Sequence, residues 1–209
     1  MVTVINSRIA LFLLDMHYPR ITFNFNEVKA TQAAALLLKR AGGEMKYLGL
    51  LKLLYLADRD ALKEIERPIT GDRYFSLKNG PVLSRVKNLL TDEEVAREYW
   101  GTYISDPAAY GVTLKADPGV DELCGMEEDI LNATFDEYGH MDRFKLAELT
   151  HLICPEWEDP KGSGVGALPI SVEDILNAVG KSEEEVDSIR EELKAEEILR
   201  VIVSDPVSA

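Results

Sequence analysis

The stretch LLKLLYLADRDALKEIERPITGDRYFSLKNGPVLSRV, Leu50–Val86, decides the fold. Leu51, Leu54, Tyr55, Leu62 and Ile65, with Leu48 just upstream, recur at three- and four-residue steps, the pattern of an amphipathic helix. The spacing predicts that helix over about 46–66. Pro68 forbids its continuation, because a proline ring removes a backbone donor and clashes with the preceding turn. Thr70-Gly71-Asp72 then reads as a turn. Residues 73–78 alternate and predict a short extended segment ahead of Asn79-Gly80. Pro81 suits the first position of a helix, where its missing N–H costs nothing, so a third helix is expected over 81–90.

Asp58 stands out on the first of these helices. It lies in line with Leu51, Leu54, Tyr55 and Leu62, on the apolar stripe, and a carboxylate placed there must find donors. Lys52, Arg59, Arg73 and the backbone amides of the Thr70–Tyr74 turn are candidates. Anchoring of that turn is the first reading, a directly functional acid the second.

Outward from this core the pattern stays mostly helical. A helix over 27–41 carries Ala30, Ala34, Leu37, Leu38 and Ala41 on one face, and Gly42-Gly43 ends it with the backbone freedom a helix terminus often needs. Residues 99–104 and 110–114 are rich in aromatic and β-branched side chains around Asp106-Pro107, and predict a β-hairpin. Helices resume over 122–138 and 142–152. Residues 155–169, rich in Gly and Pro, predict an irregular loop. Ser171 with Asp174, and Ser182 with Glu185, have the spacing of capping boxes that open the last two helices. Near the start, Val2–Ile5 and the alternating Ile21–Phe25 predict strands. The fold class is mainly α: a single helical domain with a small antiparallel β-sheet or hairpin.

The chain of 209 residues is 46% hydrophobic and 29% charged, a soluble globular composition. Its formal net charge of −14 repels phosphate backbones and supplies no drive towards DNA or RNA. Such a surface suits a basic protein partner, whose approach it steers. Cys124 and Cys154 make no disulfide framework and are expected to be free, buried thiols in a reducing cytoplasm. The apolar run Ile9–Leu14 is too short to span a bilayer, so no membrane partner is expected.

No chemical motif elsewhere competes for attention. His151 and Cys154 stand three apart on a predicted helix, but no CxxC or HxxxH arrangement completes a zinc set with Cys124 or His140. Cys154 falls near a helix C-terminus, where the dipole opposes a thiolate. The acidic pairs Glu64/Glu66 and Glu93/Glu94 and the run Glu127-Glu128-Asp129 read as solvated faces. Gly162-Ser163-Gly164-Val165-Gly166 lacks the Lys-Ser/Thr ending and the preceding strand of a phosphate loop. Neither a cofactor nor a metal is called for.

The segments Lys29–Ala34, Met45–Tyr47 and Leu51–Arg59, with the Tyr55-x-x-Asp58 pair, continue through Arg67–Tyr74 and the Lys78-Asn79-Gly80-Pro81-Val82-Leu83-Ser84 turn. Leu149-Thr150-His151 and Glu156-Trp157 follow later. Together these resemble the Panacea domain, the SocA-like antitoxin family of bacterial and phage toxin–antitoxin systems. The likeness runs from about residue 25 to 199, which implies a domain over 25–203 and a tail over 204–209. Residues 1–24 stand outside it, as a local extension or as the product of an upstream start with Met16 as the true one. The resemblance implies a non-enzymatic protein that neutralises a cognate toxin by direct contact. One related antitoxin presents its toxin to a protease, so a proteolytic adaptor or phage-related interaction module is the alternative, and an enzyme using Asp58 and His151 a third class. The residues it implies for partner binding or for the motif are Lys52, Tyr55, Asp58, Asp72, Tyr74, Lys78, Gly80, Pro81, Val82, Thr150, His151 and Trp157. Asn79 departs from the family, where an aromatic or His residue is common. Tyr74, Phe75, Pro81 and Val82, with Lys78 and Arg85, are expected to form a mixed aromatic and cationic patch, although strand alternation places one of Tyr74 and Phe75 in the core.

Overall fold

The computed structural model describes residues 20–92, 94 and 97–204. The expected strand over 2–5 and the apolar run over 9–14 lie outside them. The chain is mainly helical with two small antiparallel sheets. Helix α1, Glu27–Arg40, is capped by Asn26, whose side chain accepts from the Lys29 amide. Strand β1, Glu44–Lys46, leads into α2, Tyr47–Ile65. Strands β2, Tyr74–Leu77, and β3, Gly80–Leu83, form a hairpin that feeds α3, Ser84–Thr91. A single helical turn, α4 (Trp100–Tyr103), and strand β4, Gly111–Thr113, come next. Helices α5, Gly125–Tyr138, and α6, Arg143–Ile153, precede a 3₁₀ turn at Pro160–Gly162 and strand β5, Leu168–Ile170. Helices α7, Val172–Ala178, and α8, Glu183–Ser204, end the described chain.

Helix α2 is the axis of the molecule. It packs against α1, α5, α6, α7 and β3. Residues 49–58 are all buried, so the stripe expected from periodicity is instead a helix covered on every side. Leu50, Leu53 and Leu56 fill the positions between the periodic ones, which leaves α2 no polar face over those turns.

Several expectations are corrected here. Pro81 lies in β3, not at a helix start, and α3 begins only at Ser84. Strand order β3-β2-β5 makes β3 an edge, where a residue without an N–H is tolerated. The hairpin register pairs Tyr74 with Leu83, Phe75 with Val82, Ser76 with Pro81 and Leu77 with Gly80, leaving Lys78-Asn79 as its tip. The loop expected over 155–169 contributes β5, which joins the other edge of β2 through Tyr74–Ile170 and Ser76–Leu168 pairs.

The expected hairpin over 99–114 is also corrected. Trp100–Tyr103 is helical, and Gly111–Thr113 pairs with β1, Met45 opposite Val112; the hairpin survives as the Ile104–Leu114 and Ala108–Gly111 bridges and the backbone hydrogen bonds from Ser105 to Thr113 O and from Lys115 to Tyr103 O. Trp100 is fully buried and its amide donates to Glu27 Oε1 at 2.9 Å, so packing on α1 overrides the local preference for strand. Cys124 is exposed, and only Cys154 is buried. Both expected capping boxes are present, at Ser171/Asp174 and Ser182/Glu185.

Residues 21–25 alternate in burial as read, yet pair in no sheet. They pass over the Thr70-Gly71 turn, where the Asn26 amide donates to Thr70 O at 3.1 Å. Gly71, at φ +67°, would bring a Cβ within 2.2 Å of the Asn24 carbonyl oxygen. By contrast Gly42, at φ +85°, has open space around it. Gly71→Ala is therefore expected to cost about 3 kcal/mol and Gly42→Ala about 1 kcal/mol, read as the shift in urea midpoint. Equal losses at the two positions would show that the crowding at Asn24 is not felt.

Candidate functional site

The side chains singled out by sequence converge where α2, the β2–β3 hairpin and the end of α6 meet. Asp58 has no exposed surface. Its Oδ1 accepts from the Thr70 amide at 3.0 Å, and its Oδ2 from the Thr70 hydroxyl at 2.5 Å and the Tyr74 hydroxyl at 3.2 Å. The donors are thus the Thr70–Tyr74 turn itself, in keeping with an anchoring role; Lys52, Arg59 and Arg73 are not among them. The Thr70 hydroxyl also accepts from the Asp72 amide at 3.2 Å, passing the chain of bonds on.

Asp72 extends the network to α3. The residue before α3, Leu83, offers no capping side chain, and Asp72 acts instead from across the hairpin. Its Oδ1 accepts from the amides of Arg73 and Arg85, at 2.6 and 3.0 Å, and its Oδ2 from Val86 at 2.9 Å. The bonds from Arg85 and Val86 satisfy amides of the first turn that the helix cannot satisfy itself.

Alongside Asp58 on α2 stand Lys52, Tyr55 and Arg59. Tyr55 packs edge-on against Tyr74, with ring centroids 5.9 Å apart. Its hydroxyl donates to Glu156 Oε1 at 2.7 Å, and Arg59 Nε donates to the same oxygen at 2.9 Å. Sequence reasoning missed the Arg59–Glu156 pair as a site; the signal was the Glu next to Trp157. The fully buried Lys52 donates from Nζ to Pro81 O at 2.6 Å, serving an acceptor of the edge strand β3. Trp157 Nε1 donates to Leu77 O at 2.9 Å, next to the hairpin tip, and the Trp157 ring stacks on His151 at 3.9 Å. Thr150 turns its hydroxyl to Ala147 O at 2.7 Å within its own helix.

Gly80 is where these pieces touch. At φ +93°, a Cβ there would meet Thr150 Oγ1 at 2.5 Å, Lys52 Nζ at 2.9 Å and His151 Cδ2 at 3.3 Å. Only glycine lets the hairpin seat this deeply on α2 and α6.

Electrostatics follow from burial. Desolvation pushes the Asp58 carboxyl up to about 7, against the opposing hydrogen bonds from Thr70. Desolvation likewise lowers the Lys52 ammonium to about 7. Burial, then Glu156, pushes the Cys154 thiol up to about 12, which disfavours the thiolate a nucleophile needs. Burial and then Lys52 lower the His151 imidazole. Asp58 and His151 share no hydrogen bond; one closes the Thr70 turn while the other stacks on Trp157. Among the described residues no three His, Cys, Asp or Glu side chains gather to hold a metal ion.

The expected aromatic and cationic patch is corrected by these contacts. Tyr74, Gly80, Pro81 and Val82 are buried, as are Lys52, Tyr55, Asp58, Asp72 and Thr150. Phe75, His151 and Trp157 are half-buried, and only Lys78 and Arg85 of that group are exposed. The motif is an internal brace that presents the Lys78-Asn79 tip, rather than a docking face in its own right.

A model of the antitoxin SocA-like, Panacea domain family matches residues 50–158. The chain belongs to that family. The matched span is just over half of the sequence and holds the whole network, from Lys52 on α2 to Trp157 after α6. No curated protein and no solved structure matches significantly. The buried polar network of this Panacea domain thus lies within the matched span.

Asp58 provides a test. Its carboxyl sits higher in the folded chain than at its ordinary 3.8, so the folded state binds more protons between pH 4 and 7. Stability from this group is therefore full below pH 4 and lost as pH rises to about 7. At about 1.4 kcal/mol per pK unit the loss is of order 4 kcal/mol. Urea titrations at pH 4, 5.5 and 7 are expected to show that slope in the wild type and its removal in Asp58→Asn, whose amide still accepts from Thr70. Asp58→Ala leaves three buried donors without an acceptor and is expected to cost about 3 kcal/mol. An unchanged pH slope in Asp58→Asn would contradict the assignment.

Proposed function

We propose that this protein is the antitoxin of a toxin–antitoxin pair and neutralises its toxin by binding it directly, without chemistry of its own. Membership of the SocA-like family over residues 50–158 is the observation that carries this reading. The physical character of the molecule supports it. Ionisable residues of the network are engaged in holding the hairpin, and the one buried thiol is held protonated. Large apolar side chains stand exposed on α6, with Phe144 at 55% and Leu152 at 80%. Exposed hydrophobics of that size suit protein recognition.

The net charge of −14 favours a basic toxin and disfavours contact with nucleic acid or anionic lipid. No helix among the described residues is long and apolar enough to cross a membrane. The protein acts in the cytoplasm, where its free thiols stay reduced.

The test is co-expression with the protein encoded by the adjacent gene. Growth arrest caused by that protein is expected to be relieved, with recovery of a stable complex by pull-down and an unchanged toxin half-life. Rescue accompanied by rapid loss of the toxin would instead identify an adaptor that delivers it to a protease. Neither rescue nor a complex would end the antitoxin reading.

A further inference from the structure

Helix α8 carries two different faces. Val186 and Ile189 are buried, Leu193 is half-buried, Arg190 pairs with Glu173, and Glu196 pairs with Arg67. These contacts define the side turned to the body. Stepping about 100° per residue, Ile198 and Ile202 fall on the opposite side, with Leu199 and Val203 on the flank that runs back towards Glu196. In chain order the four are 53%, 60%, 64% and 81% exposed. The same outward side is polar two turns earlier, where Glu184, Ser188, Glu191 and Glu192 are all exposed. Glu191 has a loose ion pair with Lys194 at 3.8 Å, while Glu184 and Glu192 meet no cation among the described residues.

We infer that this outward face of α8 docks a partner protein through a basic amphipathic helix of that partner. The partner's apolar ridge lies on Ile198, Leu199, Ile202 and Val203, and its Lys or Arg side chains lie along Glu184, Glu191 and Glu192. This deepens the antitoxin reading and rests on it. Charge complementarity selects the occupant. A second copy of this chain laid parallel sets the acidic stretch against itself, which costs affinity. Laid antiparallel, it pairs only four aliphatic side chains a side, short of the ~800 Å² per partner of a standard interface. An anionic membrane surface is repelled by the same glutamates. A partner helix that is apolar over two turns and basic over the next two meets both halves of the face.

The probe is an 18-residue helical Leu/Lys peptide whose docking face carries Leu over two turns and Lys over the next two, with a Leu/Glu peptide of the same pattern as control, read by fluorescence anisotropy. Wild-type protein is expected to bind the Leu/Lys peptide at least about tenfold more tightly than the control. Ile198→Asp with Ile202→Asp, and separately Glu191→Lys with Glu192→Lys, are each expected to remove about tenfold or more of that binding while circular dichroism and melting stay as in the wild type. Equal binding of the two peptides, or unaffected variants, overturns the inference. So does a wild-type dimer in sedimentation that Ile202→Asp dissolves, since that assigns the face to a second copy. In the growth assay the Ile198→Asp/Ile202→Asp variant is expected to lose rescue. A variant that still rescues sinks the docking face and leaves the antitoxin reading standing. Failure of the wild type itself sinks the antitoxin reading, and the peptide comparison then decides the face alone.

Discussion

A carboxylate with no exposed surface must be met by donors, and the rest of this structure is arranged around meeting that need for Asp58. Three donors come from one turn, so the turn cannot drift from α2 without orphaning a buried acid. Fixing Thr70 fixes Asp72 two residues on, and Asp72 in turn fixes the start of α3. The hairpin between them is then held from beneath by Lys52 and from the side by Trp157. A chain of single hydrogen bonds thus converts one helix position into the placement of some thirty residues. Each bond is worth about 1 kcal/mol net, but breaking one leaves its partner buried and unpaired, which costs more.

This economy explains what was legible in the sequence and what was not. Helices α1, α6 and α8, and the capping boxes at Ser171 and Ser182, are local features, set by periodicity and by side chains three residues apart. The anchoring of Thr70 by Asp58 was also readable, because an acid on an apolar stripe has few ways to be satisfied. By its local chemistry Pro81 fits a helix start and an edge strand equally well; the choice is made by pairing with Ser76 across the hairpin and by Lys52, 29 residues away. Residues 100–103 were misread as strand because Trp100 is buried against α1 through Glu27, a contact no local window contains.

The candidate site was legible as a set of residues and not as a surface. Lys52, Tyr55, Asp58, Asp72, Gly80 and Thr150 were found, and they do gather, but inwards. A residue choice too particular for an apolar core can reflect a polar core as readily as a binding face. What separates the two is burial, to which the loop at 154–158 contributes by folding back over α2 through Glu156 and onto the hairpin through Trp157.

Gly80 has a consequence for how such a scaffold meets other molecules. With Thr150, Lys52 and His151 crowding its missing side chain, the two-residue tip it supports has lost its freedom before any encounter. Ordering that the fold has already completed need not be repeated on association, so contacts made through Lys78 and Asn79 start without that entropic penalty. Exchanging those two side chains alters what the tip offers and leaves the scaffold beneath it intact. Rigidity underneath is what makes variation on top inexpensive.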